Sequence, residues 1–228
     1  MLCGTSPLQA SGPDGGALVP PGTGGLNEGP RSADVPGRFT ENLGQWGPDV
    51  DFMAQCGYGP VAFGRGGVTY DVVSGGVASR VRVAFSGPSA AAPAGVGDLG
   101  FPTNFFLGSD PASWVAGARS YRELLYEDVW PDIDVRYRIT EGGLKYEVLV
   151  GADADASAVR FDVEGHSALE ARDGRLDIRL PGGQTISDTG LAAWHEGGEP
   201  AAAAFRVRGD GTGSRSTGGP AAGSSSTR

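Results

Sequence analysis

Short runs of alternating polar and apolar residues, broken by glycine about every ten residues, constrain this chain more than any other feature in it. Arg80-Val81-Arg82-Val83-Ala84-Phe85 sets Val81, Val83 and Phe85 on one face, and Asp134-Val135-Arg136-Tyr137-Arg138-Ile139 does the same with Val135, Tyr137 and Ile139. Side chains on a strand alternate between faces, so each run reads as a strand with one face buried. Gly64, Gly66 and Gly67 separate Val61-Ala62-Phe63 from Val68-Thr69-Tyr70-Asp71-Val72-Val73, the signature of strand, glycine turn, strand. Gly142-Gly143 leads into Leu144–Val150, and Asp173-Gly174 joins 169–171 to 176–180. Residues 119–127 offer one turn of helix through Leu124 and Leu125, but no helical stripe persists beyond it. Residues 86–100 are small and turn-forming and read as a long loop. Strands without intervening helices predict an all-β, antiparallel β-sandwich-like domain built of hairpins and meanders.

The two ends have another texture. Gly 40 and Pro 16 in 228 residues approach the low-complexity range. Residues 1–37 lack apolar periodicity and are expected to form a disordered leader, because they cannot bury enough surface to offset the entropy of ordering. Residues 209–228 are Gly/Ser-rich and read as a flexible tail. The all-β domain is therefore expected over 38–208. The opening residues 1–11 show neither the basic nor the apolar region of a secretion signal, so an extracellular setting expects a start upstream of Met1. No apolar run reaches the roughly 18 residues that a spanning helix needs.

Charge bears on partners. The balance of 18 basic against 27 acidic residues gives −9, which argues against nucleic acid, since each phosphate contact needs local positive charge. Cys3 and Cys56 are the two cysteines, and the position of Cys3 in the leader speaks against a structural disulfide. His166 and His195 supply no paired spacing with them for zinc. Both histidines are expected at the surface, and no nucleophile elbow accompanies them. Gly64-Arg65-Gly66-Gly67 precedes a strand, whereas a phosphate-binding loop must open a helix.

Two constellations carry a binding reading beside a structural one. Glu127, Asp128, Asp132 and Asp134 form the densest acidic group. They are either a calcium site, because calcium takes six to eight oxygens, or charges around a turn. Trp46, Trp114, Trp130 and Trp194 are either a sugar-stacking platform or core. Glu41, Glu127 and Glu147 are nominal candidates for glycoside chemistry, which needs two carboxylates across a cleft. No catalytic, cofactor-binding or metal residue is assigned, and no cofactor is expected.

Four ordered motifs carry a resemblance. Phe39-Thr40-Glu41-Asn42-Leu43-Gly44-Gln45-Trp46 is similar to the F-x-E-N-x-G-Q opening of a secreted bacterial and archaeal domain of unknown function. Asn104-Phe105-Phe106-Leu107-Gly108-Ser109-Asp110-Pro111 with Trp114, the segment from Tyr126 to Tyr137, and Gly143-Leu144-Lys145-Tyr146-Glu147 resemble its later motifs. Asp132 stands where that domain usually has glycine. The domain precedes seven-bladed β-propeller (SBBP-type) repeats or PKD-like domains. The resemblance implies a secreted, non-catalytic structural or adhesion module without cofactor. Its implied partners are downstream β-repeat domains or cell-surface glycans, and the rival class is a carbohydrate-binding or carbohydrate-processing domain.

Overall fold

The computed structural model describes residues 2–4, 9–11, 37–56, 59–74, 76–87, 90–140, 143–208 and 215–218. The strands in the first part are β1 (Leu2–Gly4), β2 (Gln9–Ser11), β3 (Phe39–Glu41), β4 (Phe52–Cys56), β5 (Gly59–Gly64), β6 (Gly67–Ser74) and β7 (Val77–Phe85). The middle holds β8 (Pro93–Asp98), β9 (Thr103–Phe105), β10 (Val115–Ala118), β11 (Ser120–Trp130), β12 (Ile133–Thr140) and β13 (Gly143–Val150). The remainder holds β14 (Arg160–Glu164), β15 (Ala168–Arg172), β16 (Arg175–Arg179), β17 (Thr185–Asp188), β18 (Ala192–Trp194), β19 (Pro200–Ala201), β20 (Arg206–Val207) and β21 (Arg215–Gly218). The fold is all-β and antiparallel, as the alternation predicts, with short 3-10 turns at Pro111–Ser113 and Ala156–Ala158.

Among the described residues, a single long sheet runs β19-β18-β1-β13-β12-β11-β3-β4-β5-β6-β7-β14-β21-β20, with β8 attached to β11. The sheet curls on itself. Its two walls, β11–β13 and β4–β7 with β14, meet through their aromatic residues. Phe63 packs on Tyr137 at 5.2 Å, Phe85 on Tyr126 at 4.9 Å, and Tyr146 on Phe161 at 5.8 Å. A second sheet, β15-β16-β17-β2, adds Leu169, Leu176, Ile178 and Ile186 to the same core. The sandwich-like layering thus comes from one curled sheet plus a smaller one, rather than from two equal sheets.

Tyr126 closes the curl. Its ring is fully buried, and its hydroxyl lies 3.1 Å from Gly64 O and 3.2 Å from Gly67 O on the facing wall. A Cβ at Gly64 would sit 2.2 Å from Asp49 O, so the backbone can run here only without a side chain. Burial pushes the Tyr126 hydroxyl well above the usual tyrosine range, which keeps it a donor. Beside it, Trp130 Nε1 donates to Ser86 O at 2.7 Å.

Two expectations are corrected. Residues 119–127 form no helix: from Ser120 onward they lie within β11, paired with β8 on one side and with β12 and β3 on the other. The Leu124-Leu125 pair mimics a helical step, yet only Leu124 faces the core. Part of the 86–100 loop is β8, whose Gly and Ala residues carry no alternation to read. Three short strands, β1, β2 and β21, have sequence positions within 1–37 and 209–228. β1 bridges β13 and β18, β2 pairs with β17, and β21 pairs with β14 and β20. Apart from Gly37, the remaining residues of 1–37 and 209–228, for which disorder is expected, lie outside those described.

The turn from β11 to β12 explains the departure at Asp132. Trp130 pairs with Ile133, so Pro131 and Asp132 form a two-residue turn, and Asp132 has φ +57°. A positive φ at the second turn position after proline is what makes glycine the preferred residue there. D132G is expected to raise stability by about 1 kcal/mol by removing the left-handed penalty; urea melts measure it. Y126F is expected to cost about 1–3 kcal/mol, because it leaves buried carbonyls without their donor; the same melts report it.

Candidate functional site

β8 and β11 form a hairpin whose far end projects from the sheet as an arm. Tyr121 pairs with Asp98, Leu99 N donates to Ser120 O at 2.9 Å, and the ladder resumes with Thr103 opposite Ala118 and Phe105 opposite Val115. β9 and β10 are therefore the continuation of β8 and β11. Beyond them, residues 106–114 make the tip.

The tip is held by its own side chains. Asp110 Oδ1 accepts from Ala112 N at 2.9 Å, and Ser113 Oγ donates to Asp110 O at 2.7 Å. Trp114 Nε1 donates to Gly108 O at 3.2 Å, and Asn104 Oδ1 accepts from Gly117 N at 2.9 Å. An isolated two-stranded ribbon is only marginally stable. These bonds, with the Phe106–Trp114 edge contact at 5.3 Å, give this one a defined shape.

The root of the arm is built by the first motif. Asn42 Nδ2 donates to Val50 O at 2.6 Å and to Gly47 O at 3.0 Å, while its Oδ1 accepts from Gly44 N at 3.0 Å and Trp46 N at 3.1 Å. Gln45 Nε2 donates to Glu41 O, and its Oε1 accepts from Leu43 N, each at 2.7 Å. Asn and Gln suit this task because each amide carries both donors and an acceptor. The closed loop aims Trp46 at Phe105, 5.3 Å away and edge-on, and Glu41 Oε1 accepts from Arg119 N at 2.7 Å. Two motifs about sixty residues apart in sequence thus meet at one point.

The large side chains that the arm presents to solvent are apolar, beside the smaller polar Asn104, Ser109, Asp110 and Ser113. Phe106 is 60%, Leu107 66% and Trp114 43% exposed, and Phe101 and Leu43 are exposed as well. Large apolar side chains grouped at the surface mark contact sites, whereas scattered ones do not. The polar edge of Trp114 is spent inward on Gly108, so the arm offers rings and aliphatic carbon with few free donors.

The four tryptophans have different fates. Trp130 is core, Trp46 is a half-buried hinge between loop and arm, and Trp114 belongs to the arm tip. Trp194 is exposed on β18, four strands from β11 in the sheet order. They do not form one platform. The sequence reading weighed tryptophan alone and so missed Phe101, Phe106 and Leu107, whose exposure follows from the arm's projection.

The carboxylates also scatter. Asp134 Oδ1 accepts from Asp128 N at 2.8 Å, which supports the left-handed Asp128 at φ +49° in an irregular stretch of β11. The Asp132 carboxylate lies beside Gly151. Among the described residues, no group of three candidate metal ligands exists. Glu41 stays at the arm root and Glu127 is exposed on β11, while Glu147 bridges Arg136 at 2.7 Å and also pairs with Arg138. His195 lies exposed at the turn into β19, whereas His166 is buried, contrary to the surface position expected for it. Cys56 ends β4 and is half-buried, and Cys3 lies on β1. Gly64 to Gly67 is the β5–β6 turn, with Gly66 at φ +70°.

One polar residue that the sequence did not single out is fully enclosed. Asp188, at the end of β17, is 3% exposed and accepts a hydrogen bond from the Tyr146 hydroxyl at 2.9 Å. Burial pushes its carboxyl up to about 7, against the lowering effect of the Tyr146 bond.

An all-β domain whose motif residues build an internally hydrogen-bonded arm with exposed apolar side chains at its tip is the class that this geometry defines. The chain belongs to the family described as "Domain of unknown function (DUF7948)", whose profile matches residues 39–216. That span opens at Phe39, beside the expected boundary at 38, and extends beyond 208 into β21. No curated protein and no solved structure matches the chain.

If the arm tip is a preformed contact surface, F106S and W114S are expected to leave the melting midpoint within about 0.5 kcal/mol of wild type, as exposed positions do. They are also expected to reduce binding of a hydrophobic dye at its surface. Thermal melts and dye fluorescence check the pair of outcomes.

Proposed function

We propose that this domain is a non-catalytic, secreted structural or adhesion module. In this reading the apolar arm is the surface by which it docks a neighbouring β-rich domain, of the propeller-repeat or PKD-like kind that its motifs imply. The observation that carries the reading is the combination at residues 101–114 of exposed Phe101, Phe106, Leu107 and Trp114 with a tip already ordered by its own hydrogen bonds. A preorganised surface loses little entropy on binding, so its apolar area converts to affinity more fully than that of a mobile loop.

A protein partner suits the arm better than a glycan does. Sugar recognition pairs a ring face with several aimed polar groups. Here the Trp114 ring meets Phe106 edge-on, its N–H is taken by Gly108, and Asp110 caps the turn at Ala112. The exposed Trp114 is nonetheless the feature that a carbohydrate-binding or carbohydrate-processing domain would use, so the experiment sets the two readings against each other.

The purified chain is presented to a recombinant SBBP-type repeat segment in a biosensor and, in parallel, to a glycan array and a panel of oligosaccharides. Saturable binding to the repeats, weakened at least about tenfold by F106S or W114S, is the expected result; one hot-spot aromatic commonly accounts for that much. Retention on glycans that W114A abolishes, or release of reducing sugar, would replace this reading with the carbohydrate one.

A further inference from the structure

We propose that Asp188 is a proton-operated latch that holds the four-stranded sheet β15-β16-β17-β2 against the wall formed by β12 and β13. This inference is independent of the arm and of the function proposed for it. Its basis is a polar contact across an apolar seam. Asp188 ends β17 opposite Leu176, and its Oδ2 takes the Tyr146 hydroxyl of β13 at 2.9 Å. Its other oxygen, Oδ1, is buried and has no hydrogen-bond partner among the described residues. The Tyr146 ring is seated between Tyr137 and Phe161, 6.0 and 5.8 Å away, so the bond ties the small sheet directly to the main core.

Among the described residues, the groups that act on this carboxyl are hydroxyls and not cations. Tyr146 comes from β13 and Tyr137 from β12, and burial together with Asp188 itself pushes the Tyr137 hydroxyl up. The charged neighbours on β16, Arg175 and Asp177, flank buried Leu176 and so point away from the seam; they bind each other at 2.6 Å and reach Ser187 instead. Elsewhere along the small sheet the seam holds Ser79 Oγ and Gln184 Oε1, 3.5 Å apart and uncharged. A buried carboxylate without a cation is costly, so the closed seam retains the proton that the open seam releases.

The direction follows from linkage. The closed state binds the proton up to about pH 7, whereas a solvated aspartate loses it near 3.9. Opening therefore releases a proton between those values. The latch is fully engaged below about pH 4, weakens about tenfold per pH unit up to about 7, and is constant above that. Acid tightens the seam and neutral pH relaxes it.

Hydrogen exchange of the full chain between pH 5 and 8.5, corrected for intrinsic rates, tests this. Amides of 168–188 are expected to lose protection about tenfold per unit from pH 5 to 7 and then level off. D188N, uncharged at every pH, is expected to flatten that slope. Should D188N fail to fold, Y146F serves: it removes the donor that favours the charged carboxylate, so the plateau moves to higher pH. A flat wild-type profile between pH 5 and 7, an unchanged slope in D188N, or an unmoved plateau in Y146F would overturn the latch. An identical slope in β4–β7 amides, the mark of global unfolding, would overturn it as a local seam.

Discussion

The contact on which the structure depends is the approach of one wall of a single sheet to the other at Tyr126. A sheet that curls back on itself brings its backbone close to side chains of its own distant strands, and the carbonyls there must find donors. At Gly64 and Gly67 that donor is a phenol, long enough to cross the core and apolar along most of its length. The rings packed on it, Phe85 and Tyr137, and Phe63 behind Tyr137, are a consequence of the same closure.

The motif residues divide by task. Asn42 and Gln45 are polar residues in an exposed turn, where a functional role is the usual suspicion. Every polar atom of their amides is committed to the backbone of residues 41–50, so their work is to shape the loop that sets Trp46. The same division holds for Asp110 and Asn104, whose oxygens satisfy backbone N–H groups within the arm. Polar motif residues build the scaffold here, and the apolar ones between them form the outer surface.

Much of the fold was legible because local pattern and tertiary burial agree. β12 alternates throughout and β13 does so as far as Val148, and the two strands meet in eight register pairs. β8 was illegible for the opposite reason: Pro93-Ala94-Gly95-Val96-Gly97-Asp98 has almost no side chains to pattern, and Gly95 is glycine because the Tyr121 ring occupies its Cβ position. β11 was misread where Leu124-Leu125 interrupts the alternation. The arm was half legible. Its motif stood out in the sequence, but nothing local says that Phe106 and Leu107 face water while Phe105 meets Trp46. Asp188 carried no signal, since the burial of an aspartate at a strand end is decided by a tyrosine 42 residues away.

The continuity of the arm with β11 has a mechanical meaning. A pull on residues 106–114 along the arm runs down β10 into β11, which lies between β8 on one side and β12 and β3 on the other. Antiparallel ladder bonds stand perpendicular to the strand. Such a pull therefore acts on the rungs of both ladders together, as shear, instead of opening them one by one from a frayed end. A load applied at the tip would be shared by the ladders on both edges of β11.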